Sequence, residues 1–268
     1  MDDLDTALDA IEAALETGDV GEALRLAKAM RKRFPAEPDA HLAYGDALWD
    51  AGDLAAAREA YENAGRLAPD SPDILSTLGW AHFALLDFEA ARKAATRSNN
   101  LEENASATAL LGHLAERDGD LAAGDRYARR AQALDPEGFP LPCRLDEEEF
   151  REAVAEALDR LPEEFRRALD GELAVLVEPV PRVELLQTES PPFDPEILGL
   201  YVGVPLSERE TASSPPKLPD VVYLFQRNLE HAATNRDELV DEITVTVFHE
   251  IGHYLGYDDD ELEERGIG

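Results

Sequence analysis

Four short motifs recur along the first half of the chain at steps of 34, 34 and 33 residues: Gly18-Asp19-Val20, Gly52-Asp53-Leu54, Leu86-Asp87-Phe88 and Gly119-Asp120-Leu121. The third keeps the acid and the apolar residue but loses the glycine. A second series shares the period, as Gly45, Gly79 and Gly112, and a third runs Pro35, Pro69 and Pro136, with Glu103 where a proline is due. Small residues recur as Ala23, Ala57, Ala91 and then Gly124. A fixed register of this length is the signature of stacked repeats, because an ordinary helical bundle has no reason to keep one.

Each unit reads as two helices. In the second, Leu42, Tyr44, Ala47 and Leu48 make one apolar stripe, and Ala57, Ala60, Tyr61 and Ala64 another. The Gly-Asp turn supplies the left-handed position of a tight helix connection, small residues let paired helices approach, and the proline ends the second helix. The pattern resembles the tetratricopeptide repeat, over four units starting near residues 4, 38, 72 and 105. The resemblance implies an all-α helical-repeat solenoid over residues 1–138 that recruits protein or peptide partners. His41, His82 and His113 lack ligand spacing and read as packing or surface residues, as do Trp49 and Trp80.

Gly138-Phe139-Pro140-Leu141-Pro142 then breaks helical continuity. Residues 139–145 read as a linker, and 146–268 as a second, α+β domain. Asp146 to Arg160 is amphipathic, and Leu161-Pro162-Glu163-Glu164 restarts a short helix to Leu169. Candidate strands are Leu173–Glu178, Val183–Leu186, Gly199–Val204 and Val221–Phe225. The polar, proline-rich run Ser207–Asp220 reads as a surface loop. From Thr234 the period becomes helical: Asn235 and Glu238 resemble a capping box, Leu239, Ile243, Val247, Ile251 and Leu255 form a stripe, and Gly256 ends it.

That helix carries the chemistry. His249-Glu250-Ile251-Gly252-His253 places two imidazoles four residues apart on one face, within reach of a single Zn²⁺. Glu250 is rotated aside, where it reaches a metal-bound water without being a ligand. The run continues through Gly256 to Asp258-Asp259-Asp260, giving H-E-x-x-H-x-x-G-x-x-D. Gly256 lets the chain double back, and the spacing favours Asp259 as third ligand, with Asp258 and Asp260 as adjacent competitors. The spacing is that of the metzincins with Asp for the final His, although no methionine beyond Met30 is present to form their Met-turn.

The region from about Phe150 onward resembles the bacterial minimal zincin-like metallopeptidases. The segments carrying the likeness are 157–165, 198–206, Val221–Phe225 and 249–259. The resemblance implies a zincin core, one zinc on His249, His253 and Asp259, catalytic Glu250, and hydrolysis of peptide bonds. Val221, Tyr223 and Phe225 are expected to pair with an extended substrate by strand addition. Tyr257 is a candidate substrate or oxyanion contact, and His231 a second oxyanion candidate. The alternative is an interaction adaptor with a structural metal and little turnover.

Charge limits the partners. The chain of 268 residues holds 58 Asp and Glu against 25 Lys and Arg, a formal charge of −33. Residues 1–140 hold 27 acidic and 14 basic side chains, residues 141–268 hold 31 and 11. Such a field repels phosphate backbones and anionic lipid, so neither nucleic acid nor membrane is an expected partner. A single cysteine, Cys143, makes no internal disulfide, and the acidic N-terminus lacks the pattern of a signal peptide. A cytoplasmic protein is expected.

Overall fold

The computed structural model describes residues 2–169, 173–206 and 220–264. The chain forms two compact units, residues 1–139 and 140–268. Most of the predicted Ser207–Asp220 loop lies outside the described residues, as does the side chain of Asp260.

The first unit is four helical pairs: α1 (Asp2–Glu16) with α2 (Val20–Arg33), α3 (Pro38–Asp50) with α4 (Leu54–Leu67), α5 (Pro72–Ala84) with α6 (Phe88–Leu101), and α7 (Ala105–Arg117) with α8 (Leu121–Leu134). The helical-repeat solenoid that the resemblance implies is thus the fold. Its turns repeat in atomic detail. The residue before the aspartate is left-handed at Gly18, Gly52 and Gly119, with φ of 72°, 77° and 82°. Leu86 adopts the same geometry at φ 62° despite its side chain, so backbone register overrides local preference there. Asp19, Asp53, Asp87 and Asp120 then cap the second helix of each pair, their side chains accepting from the N–H groups of Glu22, Ala56, Ala90 and Ala123. The acid persists through all four units because the N-cap needs an acceptor, while the glycine is replaceable at a cost.

The other glycine series answers to packing. A Cβ on Gly45 would lie 2.3 Å from the Tyr61 ring, and one on Gly79 would lie 2.8 Å from Leu110. These positions are where helices meet most closely, and the buried alanines Ala23, Ala57 and Ala91 keep the partner helices equally near.

The second unit is α+β. Its three-stranded sheet has the order β1 (Ala174–Glu178), β3 (Val221–Phe225), β2 (Gly199–Val202), with β1 parallel and β2 antiparallel to β3. Helices α9 (Glu147–Arg160) and α13 (Arg236–Leu255) pack together, with α13 against the sheet. The core joins Phe150 and Ala157 of α9, Val222 and Leu224 of β3, and Leu239, Ile243, Val247 and Ile251 of α13. The predicted stripe is therefore the buried face. Asn235 caps α13 through the Glu238 N–H, while the Glu238 carboxylate accepts from the Thr234 N–H and hydroxyl, one residue earlier than the expected box.

One predicted strand is corrected. Val183–Leu186 is a short helix, α11, following α10 (Glu163–Leu169). The Leu186 and Gln187 N–H groups bond back to the carbonyls of Arg182 and Val183, and fully buried Leu186 anchors the turn. Four residues, three of them apolar, are too few for periodicity to separate helix from strand. Residues 140–145, read as a linker, are bonded into the second unit: the Cys143 N–H points at the Glu230 and Ala233 carbonyls, and Arg144 pairs with buried Glu230 at 2.9 Å. Glu230 lies on α12 (Gln226–His231), which the sequence reading missed.

Because nothing lies within 4 Å of a Cβ built on Gly52, Gly52→Ala should act through backbone conformation alone. It should destabilise the repeat unit by about 1 kcal/mol, and Gly52→Asn by less, measured by urea unfolding followed at 222 nm.

Candidate metal centre

Helix α13 and the turn after it assemble the site. His249 and His253 stand one helical turn apart, their Nε2 atoms 2.9 Å from each other. Gly256 ends the helix in the left-handed conformation, φ 98° and ψ 20°. The Gly256 and Tyr257 N–H groups both return to the Gly252 carbonyl at 3.0 Å, closing the reversal. The next helix, α14 (Asp259–Glu264), starts at once. Asp258 and Glu261 cap it reciprocally, with Asp258 Oδ1 accepting from the Glu261 N–H and Glu261 Oε2 from the Asp258 N–H.

That cap separates the competing carboxylates. Asp258 is held in it, whereas Asp259 Oδ1 lies 3.5 Å from His249 Nε2 and 3.4 Å from His253 Nε2. Two ligands on a tetrahedral zinc, with bonds of about 2.0–2.1 Å, stand roughly 3.3 Å apart. The two edges to Asp259 are close to that value and the edge between the histidines is shorter by about 0.4 Å, a gap that a small ring rotation opens, so the donor set fits one zinc ion. His253 Nδ1 lies 3.1 Å from the Tyr257 carbonyl. A carbonyl only accepts, so Nδ1 carries the proton and Nε2 directs its lone pair into the triangle. The imidazoles are about 30% exposed and Asp259 is 78% exposed, leaving a fourth side open to solvent.

Below the helix, α14 folds back so that fully buried Leu262 fills the space beside Gly252, where a Cβ would lie 2.4 Å from it. The glycine inside the histidine motif is thus a packing requirement of the element that carries Asp259.

Glu250 sits on the other flank, 9% exposed, with Oε2 accepting from the Tyr201 N–H at 2.6 Å. Burial pushes its pKa above the ordinary carboxylate value, against the lowering effect of that bond. Strand β2 rests directly on α13: a Cβ on Gly199 would lie 2.6 Å from Thr246 and 3.2 Å from the Glu250 side chain. The Tyr201 hydroxyl donates to buried Asp220 at 2.7 Å, and the Val204 N–H reaches the same oxygen at 3.2 Å. Those bonds pin the end of β2 to the start of β3. A cleft of about 230 Å³ opens beside β2, lined by Ile197, Leu198, Val245, Thr246, His249 and Glu250 among others.

The expected substrate strand is corrected. Val221, Tyr223 and Phe225 belong to β3, the central strand, whose two edges are taken by β1 and β2. No further strand can add there. The edge beside Glu250 is β2. The Phe225 N–H bonds the Leu198 carbonyl, so alternate residues Leu198, Leu200 and Val202 face β3, while Gly199 and Tyr201 turn their backbone groups outward. Tyr257 packs its ring on the core and contributes its carbonyl to His253. His231 ends α12, 3.1 Å from Arg144, and does not line the cleft. Tyr201 was missed because it acts through its backbone N–H, which leaves no side-chain signature.

Comparison with known families agrees with this architecture. The profile of the zincin-like metallopeptidases matches residues 171–268, and two tetratricopeptide-repeat profiles match residues 8–72 and 48–114. The chain therefore joins tetratricopeptide repeats, a module that generally mediates protein–protein contacts, to a zincin-like metallopeptidase domain, a family that implies a metal, typically zinc. Comparison with curated proteins gives no match. Among solved structures, the chain is similar to a thermophilic tetratricopeptide-repeat protein of Thermus thermophilus, at 19% identity and a TM-score of 0.46, over 52% of this chain and 77% of that one. It is also similar to the MamA protein, at 24% identity and a TM-score of 0.42, over 50% of this chain and 73% of that one. Among the described residues no helix is long and apolar enough to cross a membrane.

In a zinc competition titration, Asp259→Ala should weaken affinity by at least about tenfold. Asp258→Ala should leave affinity nearly unchanged and cost about 1 kcal/mol of stability through the lost cap. Equal losses of affinity would refute the separation of the two carboxylates.

Proposed function

We propose that the second unit is a zinc-dependent peptidase and that the repeats bring protein substrates to it. The reading is carried by the triangle of His249, His253 and Asp259 donors with Glu250 set beside it and not within it. Zinc held there would supply Lewis acidity, polarising a peptide carbonyl and acidifying water. The protein's own residues divide the remaining work. His249 and His253 would hold the ion by Nε2, the latter fixed through its Nδ1 bond to the Tyr257 carbonyl, and Asp259 would add a hard, negative donor.

Glu250 is the general base. It takes a proton from water as the oxygen adds to the peptide carbonyl, then passes that proton to the amine nitrogen as the C–N bond breaks. Strand β2 is the edge on which an extended substrate would lie, its backbone pairing with the outward groups of Gly199 and Tyr201. A substrate carbonyl taking the Tyr201 N–H would release Glu250 Oε2, so substrate binding would free the base. The adaptor reading draws on the same contact, since a Glu250 permanently held by Tyr201 would leave a metal-stabilised scaffold.

Glu250→Gln decides between them. Peptide-bond cleavage, scored as new N-termini in a denatured protein mixture, should fall by about 10²–10⁴-fold, with zinc content still near one per chain. Unchanged partner binding and unchanged cellular effect, with no cleavage by the native chain, would favour the adaptor.

A further inference from the structure

Two clefts lie along the first helices of the first three repeats. One, about 360 Å³, has Leu8, Ile11, Leu15 and Leu42 as its apolar lining between α1 and α3, with Glu12, Asp39 and Asp46 beside them. The other, about 240 Å³, sets Trp49, Tyr61 and Trp80 around Asp46 and Asp50. Asp46 lines both, so the two clefts adjoin at its side chain and together make up a candidate docking groove. Four carboxylates border it, and among the described residues no lysine, arginine or histidine lines either cleft.

Among the described residues the charge there is not neutralised. Some acids elsewhere in the repeats are matched, as in Asp70 with Arg97 at 2.9 Å and Asp118 with Arg92 at 2.6 Å. Among the described residues, Glu12, Asp39, Asp46 and Asp50 have no cation within ion-pair distance. Asp46 is half-buried and accepts from the Tyr61 hydroxyl at 2.9 Å. Burial and the Asp50 charge push it up to about 6 even against that bond. A cation placed beside it would relieve both. Apolar lining alone would accept many segments; unpaired acids beside indole rings select one that brings positive charge, which aromatic faces also favour.

We propose that this groove binds a protein segment in which Arg or Lys side chains alternate with aliphatic ones. The cation sits between Asp46 and Asp50 against Trp49 and Trp80, and an aliphatic side chain fills the space between α1 and α3. The proposal deepens the reading of the repeats as a recruitment module and rests on it, but it is independent of turnover. It also gives the −33 charge a use, since the long-range field draws a cationic segment toward the chain.

Trp49 and Trp80 are the only tryptophans in the chain, so intrinsic emission reports on this groove. The test uses the full chain carrying Glu250→Gln, so that cleavage does not intrude. It is titrated with a twelve-residue peptide of four Leu-Arg-Ala triplets, and with Ser-Arg-Ala and Leu-Glu-Ala counterparts. The Leu-Arg-Ala peptide should change the emission saturably, the Ser-Arg-Ala peptide should bind at least about fivefold more weakly, and the Leu-Glu-Ala peptide should have no effect. Asp46→Asn and the exposed change Asp50→Arg should each weaken binding about tenfold. Asp9→Asn with Glu102→Gln, which removes two acids outside the groove, should leave it within twofold. Equal weakening by that control, or no saturable response, would overturn the proposal. So would emission that changes with protein concentration alone, since a second copy would then cover the groove.

Discussion

A carboxylate four residues beyond a helix can face two imidazoles on that helix only if the chain reverses within one turn. Everything at the candidate metal centre depends on this reversal. Gly256 provides it with a left-handed backbone that a residue bearing a Cβ adopts at a cost of about 1 kcal/mol or more. The reversal then has to be held. Asp258 and Glu261 cap α14 from both sides, and Leu262 enters the gap left by Gly252. Each of these contacts is local, and together they fix Asp259 over Nε2 of both histidines without any long-range strut.

The repeats use the same pairing of a left-handed residue with a capping aspartate, to a different end. At Gly18-Asp19, Gly52-Asp53 and Gly119-Asp120 the turn folds one helix back on its partner. At Leu86-Asp87 the turn survives without glycine, which shows which half of the motif is indispensable. A left-handed leucine is strained; a second helix without an acceptor at its N-cap leaves backbone donors unsatisfied. Register across the stack, set by close approaches such as Gly79 to Leu110, holds the strained turn in place.

What could be read in the sequence follows the range of the interactions. The helical pairs were legible because their determinants repeat and are local. The stripe of α13 was legible because one face of a long helix must be buried, as Leu239, Ile243 and Val247 are. Spacing also anticipated that Asp259 and the two histidines could meet. Strand order was not legible: nothing in Val221–Phe225 announces a position between β1 and β2, because pairing depends on partners distant in the sequence. Val183–Leu186 was misread for want of length, and Glu230 was overlooked because its burial makes sense only with Arg144 and Gln226 folded against it. Tyr201 could not be found at all, since any residue except proline offers the N–H that Glu250 accepts.

The excess of acid takes on meaning only when each carboxylate is assigned its work. Some cap helices, as Asp146 and Asp258 do, and are favoured by the helix dipole as well as by the bond. Others pair with arginine across neighbouring helices, as Glu156 does with Arg236 of α13. Asp220 is spent internally, holding Tyr201 and thereby the strand beside Glu250. Composition counts all of these alike, and so would predict a diffuse negative surface. The carboxylates of Glu12, Asp39, Asp46 and Asp50 differ in that they converge on an apolar groove with no cation at ion-pair distance among the described residues. Like charges converging on an apolar groove lower the stability of the isolated fold, and their natural counterweight is positive charge on a partner.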